Sequence, residues 1–334
     1  MMMKKEHIIG LCLILVIAGI SGIAFWLQPS STSQKILTNE SLQEQFQSTY
    51  GEVAGGSLSY KIEFTAKKPN APEKVAVYKT VQPKVTKTNA IAFAKKFNIT
   101  DFNEPKEGDS VISVSSKNMR YRVMLYKNGG SVYWDSERSD TPNEIDITEN
   151  LPSDEEAKKI ATSFLKERDL LPDGAVVGGT EHRKAYKSNK SSGSKTVVWE
   201  DILVWYTREL NGMKVEGTQF EVEVGGHGDI IRFFSNWKDY ETIGEYPIKS
   251  QESSIETLKQ KGVSTAAGPD KPDTISINEI YLGYETTAVA YKEEYLEPVW
   301  VFKGEALKNG TSIGPVKEFV PALTEDSKKS LSSI

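Results

Sequence analysis

The sequence predicts an α+β protein: one N-terminal transmembrane helix, then tandem units of a helix followed by an antiparallel sheet. Three observations predict it. Residues 8–27 form an unbroken run of 20 uncharged, mostly apolar residues. Two helix signatures recur at a constant offset of 67 residues: Thr86 with Ala90, Phe93, Ala94 and Phe97, then Ser153 with Ala157, Ile160, Ala161 and Phe164. Each signature is followed by segments that alternate apolar and polar residues, with turn residues between them.

The apolar run is long enough to span a bilayer. At about 1.5 Å per residue it covers roughly 30 Å of hydrocarbon. Lys4 and Lys5 precede it, and the next basic residue is Lys35. Residues 1–7 are therefore expected in the cytoplasm, 8–27 as a single-pass anchor in the cell membrane, and the bulk of the chain extracytoplasmic. The alternative is a cleaved signal peptide. Its apolar core is usually shorter, and the bulky Phe25-Trp26-Leu27 stands where a cleavage site has small residues. Cys12 lies too near the start of the run for a lipid-attachment site.

Composition narrows the rest. Hydrophobic content of 38% and charged content of 26% suit a folded chain. A net charge of −5, well mixed along the sequence, argues against nucleic acid as a partner. Cys12 is the only cysteine, so the remainder has neither disulfide nor thiol chemistry.

Residues 28–56 read as a stalk, with Leu42, Phe46 and Tyr50 at a helical spacing of four. A first α+β unit spans 57–150. Its helix starts at Thr86, and its strands are Ser110–Ser115, Met119–Tyr126 and Ser131–Asp135, with a hairpin turn at 127–130. A second unit spans 151–249. Ser153 and Glu156 form a capping box in which each side chain bonds the other's backbone N–H. Strands follow at Val197–Leu210, Gly217–Val224 and Ile230–Trp237. A third, partial unit spans 250–323, with a helix from Ser250 stopped by Gly262. Its strands are Ile277–Thr286, Glu297–Phe302 and Glu318–Ala322. Tyr186–Lys195 reads as a polar loop and 324–334 as a disordered tail.

No catalytic, cofactor-binding or metal-binding set emerges. His7, His182 and His227 read as isolated, and there is no H-E-x-x-H, C-x-x-C or acidic calcium loop. Gly225-Gly226-His227-Gly228 lacks the Lys and Ser/Thr of a phosphate-binding loop and reads as a turn. Asp135, Glu137, Glu200 and Asp201 read as a solvated strand face. Asn39, Asn98, Asn189 and Asn309 stand in Asn-x-Ser/Thr sequences. Trp199, Trp205, Trp237 and Trp300 are candidates for a contact surface, because strand alternation sends some aromatics outward.

The segment Asn211–Val224, with Gly212, Val215 and Gly217 before an alternating strand, then Gly225–Ile231 with Gly228 in the turn, resembles the PepSY superfamily hairpin. Thr218 and the Gly225–Gly228 cluster depart from that pattern. The plan of one anchor and tandem units is similar to membrane-anchored relatives of the YycI and YpeB kind. The resemblance implies no catalytic residues and no cofactor. It implies a non-catalytic binding or regulatory protein, with a sensor kinase or a protease as partner. Two alternatives stand beside it: a protein that binds cell-envelope glycans through its aromatics, and a hydrolase without a legible motif.

Overall fold

A computed structural model describes residues 60–139, 150–188, 195–264 and 271–333. The anchor expected at 8–27, its flanks at 1–7 and 28–56, and Asn39 and Asn189 lie outside the described residues.

The chain begins with strands β1 (Lys61–Phe64) and β2 (Lys74–Val81) and helix α1 (Lys87–Lys96). Four strands follow: β3 (Lys106–Glu107), β4 (Val111–Ser115), β5 (Tyr121–Tyr126) and β6 (Ser131–Asp135). After the single turn α2 (Ser136–Ser139) comes α3 (Asp154–Glu167), then the long hairpin of β7 (Val176–Ser188) and β8 (Lys195–Thr207). Next are β9 (Glu209–Leu210), β10 (Met213–Glu216), β11 (Phe220–Val224), β12 (Ile230–Ser235) and β13 (Asp239–Pro247). The last part holds α4 (Gln251–Lys261), β14 (Thr274–Glu285), β15 (Tyr295–Leu296), β16 (Pro298–Lys308), β17 (Thr311–Pro321) and α5 (Glu325–Leu331).

The fold class departs from the α+β expectation. The described residues are 47% strand and 19% helix, so the protein is mostly β. Among the described residues no helix is long and apolar enough to cross a membrane. An arrangement of tandem PepSY-like units behind a transmembrane helix is not supported. The cause lies in the strands. β7 and β8 have 13 residues each, whereas α3, the longest helix among the described residues, has 14 and serves a sheet of eight strands.

Two compact units form, and each is interrupted in sequence. Residues 79–241 with 286–294 make the first; 60–78, 242–285 and 295–333 make the second. The first unit is built on one sheet in the order β3-β4-β5-β6-β12-β11-β8-β7. The expected boundary at 150/151 is therefore not a domain boundary: β6 and β12 pair antiparallel, Tyr133 opposite Phe233. Both repeat-related helices lie on one face of this sheet. Their Ser153 and Thr86 caps close as capping boxes. Ala90, Ala94, Ala157, Ala161 and Leu165 are buried against Ile112, Val123, Tyr133, Ile202, Val222 and Phe233. The small alanines let the helices come close to the sheet, and Phe97 fills the space between them by stacking on Tyr133 at 4.3 Å.

The excursion 286–294 joins this unit through a buried polar knot. Glu293 accepts hydrogen bonds from Thr80, Tyr240, Thr286, the Thr287 backbone and Lys238. Lys238 also donates to the Thr287 carbonyl and hydroxyl. Burial lowers the pKa of Lys238, and the Glu293 charge opposes that shift.

In the second unit β14, β16 and β17 form an antiparallel sheet, with β1 parallel to β14 from Lys61 opposite Thr274. Leu258 of α4 is buried with Ile275, Ile277, Trp300, Phe302 and Val320. The expected disordered tail is instead helix α5. Thr324 caps it, Ser327 bonds the Pro247 carbonyl, and Leu331 is buried beside Val77 and Leu323.

Candidate functional site

The chemistry of the first unit concentrates on the two faces of its sheet. Alternation assigns the residues. On β5, Tyr121, Val123 and Leu125 join the helix-side core, which sends Arg122, Met124 and Tyr126 to the other face. The same logic places Trp134 of β6, Arg232 and Phe234 of β12, Glu221 and Glu223 of β11, and Asp201, Leu203 and Trp205 of β8 there.

Register turns these residues into a ladder. Arg122 stands opposite Trp134, Trp134 opposite Arg232, and Arg232 opposite Glu223. The Arg122 guanidinium carbon sits 5.3 Å from the centre of the Trp134 ring. Arg232 lies 5.5 Å from the Phe234 ring and binds Glu223 at 2.9 Å. Arg183 of β7 then reaches both Glu223 at 2.6 Å and Asp201 at 2.7 Å. Asp201 is fully buried and Glu223 nearly so.

The buried setting and the neighbouring charges act on Asp201. Burial pushes the Asp201 carboxyl up to about 7, and the Glu223 charge adds to it; Arg183 and Arg232 pull it back. Glu221 rises as well through burial, which Arg232 opposes and the Glu223 charge reinforces. The expectation of a solvated carboxylate face is corrected here for Asp201. Asp135 is also buried and binds Arg120 at 2.8 Å. Side-chain partners on neighbouring strands, invisible to a local reading, make that burial tolerable.

The ladder is uneven. Its Asp201–Glu223 end is densely paired. At the other end, Arg122 has the Ser115 hydroxyl at 3.2 Å and the Trp134 ring, and the buried Trp134 Nε1 has no acceptor among the described residues.

The helix-side face carries a second constellation. His182 read as an isolated loop residue, but it lies on β7. Its Nδ1 is 2.9 Å from Glu200 of β8, and its Nε2 is 2.9 Å from Asp154, the first residue of α3. Lys184 binds the same Glu200 oxygen at 3.2 Å. Both carboxylates raise the His182 pKa, Glu200 first. Hydrogen bonding to His182 lowers that of Asp154. β7 runs to Ser188, so the segment read as a loop from Tyr186 starts as strand.

The predicted hairpin residues are structural. Asn211 and Gly212 have φ of 50° and 74° and turn β9 into β10; Val215 is buried. Gly217 has φ 76°, and a Cβ there would stand 2.7 Å from the Thr286 carbonyl oxygen. Gly228 has φ 76°, and a Cβ there would meet Ile160 at 2.9 Å. His227 itself adopts φ 60°, and its backbone N–H donates to the Asn150 carbonyl.

The four tryptophans do not form one strip. Trp300 is 1% exposed in the core of the second unit, so it offers no contact surface. Its Nε1 donates to the Lys249 carbonyl. Trp237 packs edge-on against Phe220 on the helix-side core, under Arg208 at 4.6 Å. Trp205 belongs to the opposite face and covers Gly178 and Gly179. Trp199 lies on β8 opposite Ala185; its side chain is outside the description. The Arg122–Trp134 pair was missed, although alternation in Tyr121–Tyr126 and Ser131–Asp135 carried the signal.

Among the described residues no group of three His, Cys, Asp or Glu side chains is placed to hold a metal ion. A shallow cavity of about 390 Å³ lies at the C-terminal ends of α1 and α3, lined by Lys95, Lys96, Asn98, Glu167, Arg168 and Asp169. Arg168 pairs with Glu167 at 3.5 Å there, and Lys96 donates to the Asp169 backbone carbonyl.

No family model and no curated protein matches this chain. Among solved structures, an uncharacterized protein from Eubacterium rectale ATCC 33656 is similar to it. The identity is 13%, over 79% of this chain and 88% of that one, with a TM-score of 0.45. A likeness that distant carries no argument about function.

Proposed function

We propose that this chain is a non-catalytic binding protein that regulates a protein partner through the face of its eight-stranded sheet opposite α1 and α3. The Arg122–Trp134 end of the ladder carries the reading. Tryptophan and arginine are the residues that most often dominate binding energy at protein interfaces. Here they are stacked and half-buried, and the Trp134 Nε1 has no acceptor among the described residues, while Arg183, Asp201 and Glu223 pair at the other end. Met124, Tyr126 and Phe234 surround them with apolar area. A sensor kinase or a protease at the outer membrane face is the partner class that the PepSY resemblance implies. The tryptophans named for the glycan-binding alternative do not share a face, since Trp205 and Trp237 lie on opposite faces and Trp300 is buried.

Site-specific photo-crosslinking in the source cells tests this. A photoreactive residue at Met124 or Phe234 is expected to capture one and the same protein. Capture at Lys159, on the exposed side of α3, is not expected. Arg122→Glu should abolish the adduct while the thermal midpoint stays unchanged. Equal capture at all three positions, or an adduct indifferent to Arg122→Glu, would overturn the reading.

A further inference from the structure

His182 sits where three elements meet. It belongs to β7, the last strand in the sheet order among the described residues, where only one side is paired, to β8. Its two ring nitrogens face two carboxylates from two other elements, Glu200 of β8 and Asp154 of α3, each at 2.9 Å. A neutral imidazole has one N–H; only the protonated ring has two. Both contacts are donated bonds in the charged form alone. In the neutral form one nitrogen lone pair faces a carboxylate lone pair, and that contact turns repulsive.

The surrounding charges fix the balance. On β7, Thr180 bonds Asp154, and Lys184 shares Glu200 with the histidine. On α3, Lys158 is drawn toward Glu155 at 2.7 Å and acts weakly on Asp154. No described anion other than Asp154 and Glu200 touches the ring. With the Thr180 bond to the same carboxylate, the His182 bond to Asp154 ties the first turn of α3 to the edge of the sheet; the acidic side chains Asp154, Glu155 and Glu156 favour a cation there, against the positive end of the helix dipole.

We propose that His182 is a pH-operated clasp: protonated, it fastens the edge strand β7 to the first turn of α3; neutral, it lets that turn and strand edge open. The sign follows from linkage. A histidine whose folded pKa is raised contributes stability that is complete below its unfolded value near 6.5 and is lost as pH rises through the folded value. Asp154 and Glu200, whose pKa values are lowered, contribute stability that is lost only as pH falls through their folded values. The clasp is closed between those limits and open on the alkaline side. His182 is 44% exposed, so protons reach it without unfolding.

The test uses the full chain. Proton NMR of the His182 ring gives its midpoint directly, expected above 6.5. Hydrogen-exchange protection, corrected for intrinsic rates, is followed from pH 6 to 9. Amides of residues 154–158 and 180–184 should lose about threefold to tenfold protection across the His182 midpoint, the scale of one charge-assisted bond at a half-exposed site. Amides in β5 should not change. In His182→Gln the step should vanish. A step that persists in His182→Gln, or a His182 midpoint at or below 6.5, would overturn the proposal. Should His182→Gln fail to fold, Glu200→Gln serves: it must lower the ring midpoint, and an unmoved midpoint counts against the clasp.

Discussion

Lys238 Nζ lies 3.2 Å from a Glu293 carboxylate oxygen, and neither side chain is more than 2% exposed. The pair ties the excursion 286–294 to the strand region that precedes it by some fifty residues of chain. Removing one partner strands the other charge in a dry site. Lys238→Met and Glu293→Leu should each cost about 3–5 kcal/mol in denaturant unfolding, and the double variant markedly less than the sum. Additive costs would mean the two charges are not coupled.

Arg183 bridges Asp201 and Glu223, so Arg183→Met leaves two buried carboxylates facing each other. A loss of about 3–5 kcal/mol is expected at pH 8. The loss should shrink at pH 5. Arg183 holds the Asp201 carboxyl down to about 7, so its removal raises that carboxyl further, and between pH 8 and 5 the folded variant gains more from binding the proton than the parent does. Unfolding curves at the two pH values check the sign.

Gly217 and Gly212 separate two costs of adding a methyl group. Both have positive φ, but only Gly217 has a backbone atom in the way of a Cβ, the Thr286 carbonyl oxygen at 2.7 Å. Gly212→Ala should cost about 1–2 kcal/mol for the left-handed conformation. Gly217→Ala should cost clearly more, because a backbone carbonyl yields less readily than a side chain. Equal losses would show that the β10 exit relaxes freely.

Trp300 and Trp134 should divide stability from binding. Trp300→Ala empties a core site and should cost about 3–5 kcal/mol in unfolding free energy. Partner capture at Phe234 should survive at temperatures where the variant is folded. Trp134→Ala should abolish capture at a smaller cost in stability. Crosslinking and thermal unfolding on the same preparations measure both.

Much of the local structure was legible in the sequence. Thr86 and Ser153 announced α1 and α3 through side chains that bond their own helix, an interaction within three residues. FEVEV at 220–224 and the segment 131–135 announced strands because a half-buried strand writes period two into the chain. β2 and β13 went unread, and the end of β7 read as a loop. Polar composition masked the β7 end, and its strand character comes from pairing with β8.

The functional assignments were less legible for the same reason. His182, Asp154 and Glu200 come from three elements, and Arg122, Trp134, Arg232, Glu223 and Arg183 from five strands. By itself the sequence determined the helix caps, the alternation and the turn glycines, all set by forces acting within a few residues. Only the tertiary structure decided that the two repeats share one sheet, that Trp300 is core, and which carboxylate faces which cation. Strand register sets those relationships, and register is a contact between residues far apart in the chain.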